Sequence, residues 1–236
     1  MYRIALGILL CVLAICLDAP LVYAHDPIIL QEDQKEPNEG PLFPDARISF
    51  AVYGEILDSQ DRRGFEFRIP SKDSIQLSLL VPDLAPENTF PISLLPNIEL
   101  RRPDGTMLQI ESTSVSLFSE PFTNTKYLRL ADHEEIGEEG VYSVLVSGSR
   151  ASRFTVAIGY LEIFGTPVSN VMNRDEGIQG VRRWYETPPR SSADLPVLEE
   201  GRSSSNSLLI IAGFFTLSVI VGGIVVARRR NYRVEQ

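Results

Sequence analysis

The sequence predicts a mostly β protein: an antiparallel β-sandwich ectodomain followed by one C-terminal transmembrane helix. Three observations carry this. Gly64-Phe65-Glu66-Phe67-Arg68-Ile69-Pro70 and Ser74 to Val81 alternate apolar and polar residues with a period of two, the pattern of half-buried strands. Turn-forming residues recur every 8–12 positions between short apolar segments, with no long helical period in the same region. Leu208–Ala227 is a run of 20 residues without a charge, followed at once by Arg228-Arg229-Arg230.

The N-terminus reads as a signal peptide over 1–24. Met1-Tyr2-Arg3 is a short positive segment and Ile4 to Leu17 an apolar one. Pro20 ends it, and Val22-Tyr23-Ala24 offers small or compact residues at the positions a signal peptidase reads. Cleavage after Ala24 makes His25 the mature N-terminus. The apolar core is short for an uncleaved membrane helix.

Residues 25–46 are polar and Pro-rich (QEDQKEPNEGPLFPD) and predict an extended arm. The sandwich is expected over 47–165. Ile48, Phe50, Val52 and Ile56 open its first strand, with Gly54 as a bulge or bend. Phe65, Phe67 and Ile69, then Ile75, Leu77, Leu79 and Val81, mark core faces of the next two. Ile98 to Arg101 and Met107 to Ile110 flank Pro103-Asp104-Gly105, a strong turn signal between strands. Lys126 to Leu130 is a further strand. Gly140 to Val146 and Arg153 to Ile158 form the clearest pair, and the loop between them has hairpin length.

After Gly165 the period changes. Residues 166–186 predict a short amphipathic helix, with Ser169 as N-cap and Val171, Met172, Ile178, Val181 and Tyr185 near one side. Gly177 and Gly180 each weaken it by about 1 kcal/mol. Trp184, beside Arg182-Arg183, allows it to lie on a membrane surface; packing against the edge of the sandwich is the other reading. Residues 187–207 read as a flexible linker with a mean span of roughly 25 Å. The apolar run over 208–227 spans about 30 Å as a helix, the thickness of a bilayer core. The basic tail over 228–236 then predicts a cytoplasmic C-terminus and an outside ectodomain.

Composition excludes several function classes. The only cysteines, Cys11 and Cys16, lie in the signal segment, so the mature chain carries neither disulfides nor thiolate metal sites. No Asn-x-Ser/Thr sequence occurs, which fits a prokaryotic envelope better than an animal cell surface. Residues 25–206 hold 17 Lys and Arg against 29 Asp and Glu, a net of −12. That balance argues against nucleic acid as a partner and against docking on anionic lipid. The membrane is met through the chain's own helix, and a protein or surface ligand is the expected partner.

The order of strands and turns resembles the pre-peptidase C-terminal type of domain, a small jelly-roll sandwich appended to secreted prokaryotic proteins. The matching pieces are Gly64-Phe65-Glu66-Phe67-Arg68-Ile69, Arg102-Pro103-Asp104-Gly105, Gly140-Val141-Tyr142-Ser143-Val144 and Arg153-Phe154-Thr155-Val156. The whole layout is similar to prokaryotic proteins built as signal peptide, β-domain and membrane anchor. The resemblance implies a jelly-roll-like fold and supplies no catalytic residue.

Catalytic signatures are absent: no HExxH, GxSxG, phosphate-binding Gly loop or CxxC occurs. With only His25 and His133 available, a Ser-His-Asp triad would need His133, in an apparently exposed acidic loop. The expectation is therefore a non-enzymatic, membrane-anchored binding or interaction module. The alternative is copper binding, in which the α-amine and imidazole of a mature N-terminal His25 join His133 as three nitrogen ligands. The plainer reading is that a histidine merely follows the cleavage site. Calcium could use Asp58 and Asp61, or Asp132, Glu134, Glu135, Glu138 and Glu139, although no EF-hand spacing is present. A solvated charged loop is the default reading of those carboxylates.

Overall fold

The chain changes sheet at almost every turn, as seen in the computed structural model, which describes residues 25–121, 123–172 and 174–191. The strands are β1 Asp26–Ile29, β2 Leu42–Phe43, β3 Phe50–Asp58, β4 Arg62–Ile69, β5 Asp73–Pro82, β6 Asn97–Arg101, β7 Met107–Ile110, β8 Ser116–Glu120, β9 Thr125–Gly137, β10 Gly140–Ser147 and β11 Arg150–Ile158. A single turn of 3-10 helix at Arg174–Glu176 leads into the helix α1, Gly177–Glu186. One sheet has six strands in the order β1-β3-β11-β5-β9-β8, the other five in the order β2-β4-β10-β6-β7. The protein is mostly β, with two curled sheets around a shared core, as expected for a sandwich.

The predicted apolar faces meet in that core. Phe65, Phe67 and Ile69 of β4 pack with Ile75, Leu77, Leu79 and Val81 of β5 and with Phe50, Val52, Phe154 and Val156. Each fully buried side chain of this size stabilises the fold by about 1.5–3 kcal/mol. The Pro103-Asp104-Gly105 turn joins β6 and β7 as predicted: Gly105 N–H donates to Arg102 O at 2.9 Å, and the φ of +85° there favours glycine. Gly54 has a different purpose from the predicted bulge. It pairs regularly with Phe154, and a Cβ would lie 2.3 Å from the Phe154 ring, so the residue admits that ring.

Three expectations are corrected. Gly140–Ser147 and Arg150–Ile158 are not a hairpin: β10 pairs with β4 and β6, while β11 pairs with β3 and β5 in the opposite sheet. The short loop crosses between sheets instead of folding back within one. The acidic stretch around His133 is not a loop but part of β9, antiparallel to β5 from Asp73↔Gly137 to Pro82↔Tyr127. The helix starts at Gly177 and not near Ser169. Gly177 has a φ of +46° and Asn170 of +55°, and such left-handed residues interrupt an α-helix.

The polar arm over 25–46 is docked on the sandwich through two short strands, with a 3-10 turn at Pro37–Glu39 between them. β1 runs parallel to β3 with Asp26↔Phe50 to Ile29↔Tyr53, and β2 runs parallel to β4. Ile28, Leu30 and Phe43 are buried, and Gly64 N–H donates to Gln34 O at 2.9 Å. The arm thus bridges both sheets. Its composition concealed this because the few apolar residues are spaced among prolines and carboxylates.

The helix α1 rests on the outer face of the six-stranded sheet, through Val181, Trp184 and Tyr185 against Ala51, Tyr53, Leu80 and Tyr127. Trp184 Nε1–H donates to Gly54 O at 3.1 Å, and its ring meets Tyr53 edge-on at 4.8 Å. Arg153 holds the C-terminal end. It is buried against Glu87, with Nη2 2.7 Å from Oε2, and it donates to Tyr185 O, Thr187 O and Ala85 O. Among the described residues no helix is long and apolar enough to cross a membrane. The signal segment 1–24, most of the linker, the apolar run 208–227 and the tail 228–236 lie outside the described residues.

Candidate functional site: a cleft beside His25

In a two-layer sandwich the outward face of each sheet meets water and is expected to be polar. The six-stranded sheet departs from this. Its outward positions include Ala51 and Tyr53 on β3, Leu80 on β5, Tyr127 on β9, and Thr155 and Ala157 on β11. α1 covers only part of this surface. Beside it opens a cleft of about 290 Å³, whose walls include His25, Pro27, Tyr53, Glu120, Phe164, Ile178 and Val181. A smaller recess of about 30 Å³ adjoins it deeper on the sheet, sharing His25, Tyr53 and Glu120 and adding Phe118, Tyr127, Arg129 and Thr155.

His25 is positioned by the strand it precedes. Asp26 N–H donates to Ser49 O at 3.0 Å, and Ser49 N–H donates to Leu161 O at 2.8 Å. His25 Nδ1 hydrogen-bonds Ser49 Oγ. Asp26 accepts from Gly165 N–H at 3.1 Å and from Arg174, which also donates to Thr166 O at 2.6 Å. The segment after β11 is thereby wrapped around residues 25 and 26. Burial lowers the His25 pKa, against the opposing pull of the Glu162 and Glu120 carboxylates, so the ring is neutral at pH 7. The His25–Ser49 pair does not make a catalytic dyad, because Ser49 is 1% exposed and closed to a substrate.

Deeper in the recess polar atoms are buried. Thr155 Oγ1 and Arg129 Nε have no hydrogen-bond partner among the described residues. Tyr127 Oη is buried beside the Tyr53 and Thr125 hydroxyls, which interact with it. Burial pushes the Tyr127 phenol up to about 12 and raises that of Tyr53, so both stay protonated. Glu120 Oε2 accepts from Thr123 N–H at 2.6 Å and Thr123 Oγ1–H at 2.5 Å, which fixes its carboxylate at the edge of the recess. The Arg129 guanidinium lies 4.8 Å from the Phe118 ring centre and 3.7 Å from Asp132. An unmade hydrogen bond at a buried group costs about 1–3 kcal/mol, so the Thr155 and Arg129 atoms are a local destabilisation.

The two predicted metal histidines are not brought together. Along β9, Asp132 and Glu134 lie on the outward face, where they accept from Ser78 Oγ–H and Ser74 Oγ–H. His133 and Glu135 lie on the opposite face: His133 Nε2 is 3.2 Å from Glu135 Oε2, and Glu135 binds Arg102 of the other sheet at 2.6 Å. His25 sits on the outward side, so the two imidazoles lie on opposite faces of the sheet. Of the proposed calcium carboxylates, Asp132, Glu134 and Glu135 are split between the two faces of β9, and others are engaged in ion pairs. Asp61 is buried against Arg63 at 2.6 Å and Glu138 pairs with Lys72 at 2.8 Å. Among the described residues no group of three or more His, Cys, Asp or Glu side chains is arranged to hold a metal ion.

Sequence reasoning named His25 and missed Tyr53, Tyr127, Arg129 and Thr155. One signal was available. Phe50-Ala51-Val52-Tyr53 and Leu79-Leu80-Val81 are apolar on both faces, which marks a sheet covered on both sides. A second groove, about 360 Å³ on the outer face of the five-stranded sheet, is lined by Arg62, Glu66, Glu99, Arg101 and Ser143. It is a mixed-charge solvent face without a comparable set of unpartnered buried atoms. In comparison with known proteins, no family model matches the chain and no curated protein is significantly similar to it.

Proposed function

We propose that this chain is a membrane-anchored, extracytoplasmic binding module that takes a small ligand in the cleft beside His25. The observation that carries the binding reading is the cleft itself, about 290 Å³ between α1 and the sheet and walled by Pro27, Phe164, Ile178 and Val181 beside the polar His25 and Glu120. The anchoring rests on the sequence: a signal segment, the apolar run 208–227 and the arginines that follow it. The strand order, with sheet changes at most connections, suits the jelly-roll class suggested by Gly64–Ile69 and Gly140–Val144. Binding is the activity that the apolar walls of the cleft suit best.

The test is a thermal-melt screen of the full chain in detergent against a library of small organic molecules. Ile178→Trp provides the control, because Ile178 is 37% exposed at the cleft and bulk there occludes the opening without disturbing the core. The proposal expects compounds that raise the melting temperature of the wild type and lose that effect in Ile178→Trp. Stabilisation retained in full by the variant would place binding elsewhere, and no stabilising compound would remove the proposal.

A further inference from the structure

The two open sides of the sandwich are finished differently. On one side the sheets end in β1 and β2. β1 carries Pro27, β2 is two residues long, and the segment after β11 runs beside them. Leu161 O accepts from Ser49 N–H at 2.8 Å, Gly165 N–H donates to Asp26 at 3.1 Å, and Ser169 O accepts from Leu42 N–H at 3.4 Å. Prolines, short strands and covering segments are devices that keep a sheet edge from pairing with another chain. On the other side the sheets end in β7 and β8, which are joined by residues 111–115. β8, Ser116-Leu117-Phe118-Ser119-Glu120, holds no proline, lysine or bulge, and its one charge stands at its end. Among the described residues, no strand pairs with its outer edge, and Leu117, 75% exposed, is the most exposed large apolar side chain.

We propose that the free edge of β8 pairs antiparallel with β8 of a second copy of this chain, a contact independent of the cleft. One register pairs all five residues of the strand. It sets Phe118 opposite the partner's Phe118, Leu117 opposite the partner's Ser119, and Ser116 opposite the partner's Glu120, so no like charges are opposed. Within each copy Ser116 pairs with Arg129 and Leu117 with Leu128. The partner's Glu120 therefore falls in one cross-strand row with Arg129, with only the small Ser116 between them, and the two-fold repeats this row. On the inward face the two Leu117 side chains become diagonal neighbours about 7–8 Å apart, which covers apolar surface that each copy alone leaves wet. The two-fold axis of an antiparallel strand pair stands perpendicular to the sheet, so both copies turn the same outward face to the same side. That face carries α1, and beyond the helix Arg190 pairs there with Glu55 of β3 at 3.5 Å. Both chains thus leave α1 on one side of the joined sheet, as two anchors in a single membrane require. A five-residue strand pair is small for a lasting interface, and confinement of both copies to one membrane raises their effective concentration.

Single cysteines along β8 read both the contact and its register. They are introduced into the full chain, with Cys11 and Cys16 replaced by Ser, and membranes carrying it are treated with a short bismaleimide. Phe118→Cys is expected to give a covalent dimer, because the two positions lie about 4.5–5.5 Å apart across the pair. Ser116→Cys and Glu120→Cys are each offset from their own counterpart by about 14 Å along the strand, and are expected to give at least about tenfold less dimer. Membranes that contain Leu117→Cys and Ser119→Cys chains together are expected to crosslink more than membranes with either alone, a readout that leaves Phe118 in place. Leu117→Lys added to Phe118→Cys brings like charges to the seam and is expected to lower the dimer yield about fivefold or more. Absence of dimer from both Phe118→Cys and the mixed chains overturns the proposal. Equal crosslinking at positions 116, 118 and 120 does so as well, as does a yield unchanged by Leu117→Lys.

Discussion

His25 and Arg153 are each held by several groups at once, and each makes a prediction about stability. Burial depresses the His25 pKa below its ordinary value near 6.5. The unfolded chain therefore takes up a proton on this ring at a higher pH than the folded protein does. His25 contributes stability that is complete above about pH 6.5 and is lost as pH falls through the lower folded pKa. Urea midpoints measured from pH 5 to 8 are expected to decline on the acid side, and His25→Gln is expected to flatten that part of the profile; an unchanged profile would refute the assignment. Arg153 and Glu87 are 2% and 0% exposed as side chains. Arg153→Met leaves Glu87 buried and unpaired, at an expected cost of about 3–5 kcal/mol in urea unfolding. The variant that also carries Glu87→Leu is expected to recover part of this, because removing both charges removes the desolvation penalty as well.

Among the elements, α1 connects stability to the cleft. It contributes Val181 and Ile178 to the cleft wall, and it is secured by Trp184 on Tyr53 and by Arg153 at its C-terminal carbonyls. Trp184→Ala is expected to cost about 2–3 kcal/mol, somewhat below the value for a fully buried ring, and to abolish ligand-induced stabilisation together with the helix seat. Melts of this variant with and without a compound that stabilises the wild type measure both effects. The elements also show where sequence reading succeeds. The alternating strands β4 and β5 and the turn after β6 were legible because each has one wet face or a glycine-dependent turn. β1 and β2 were not, since two to four residues buried by long-range parallel pairing leave little local pattern. The β10–β11 connection was misread because loop length alone does not reveal whether the chain stays in one sheet. The cleft residues were hidden by a related ambiguity: Tyr53, Tyr127 and Thr155 are ordinary strand residues, and only the third layer formed by α1 makes them interior.

For the whole molecule, the sandwich, the helix seat and the docked arm form one described unit, and the membrane reading belongs to sequence that flanks it. That reading predicts that protease added outside intact cells removes an epitope inserted in the exposed β6–β7 turn while sparing one fused after Gln236; protection of both would contradict the orientation. The binding account has a more direct test in the recess itself. Replacing Tyr127 and Thr155 together by Phe and Val removes two buried hydroxyls without removing much volume. If those hydroxyls serve a ligand, their removal relieves a cost to the free protein. The measurement is the melting temperature of the full chain with and without a compound from the screen that stabilises the wild type, for the wild type and for Tyr127→Phe/Thr155→Val. The account predicts that the ligand-free variant melts at or above the wild-type temperature, by up to about 4 °C, and no longer responds to the compound. A variant that melts well below the wild type, or responds to the compound as the wild type does, would contradict it.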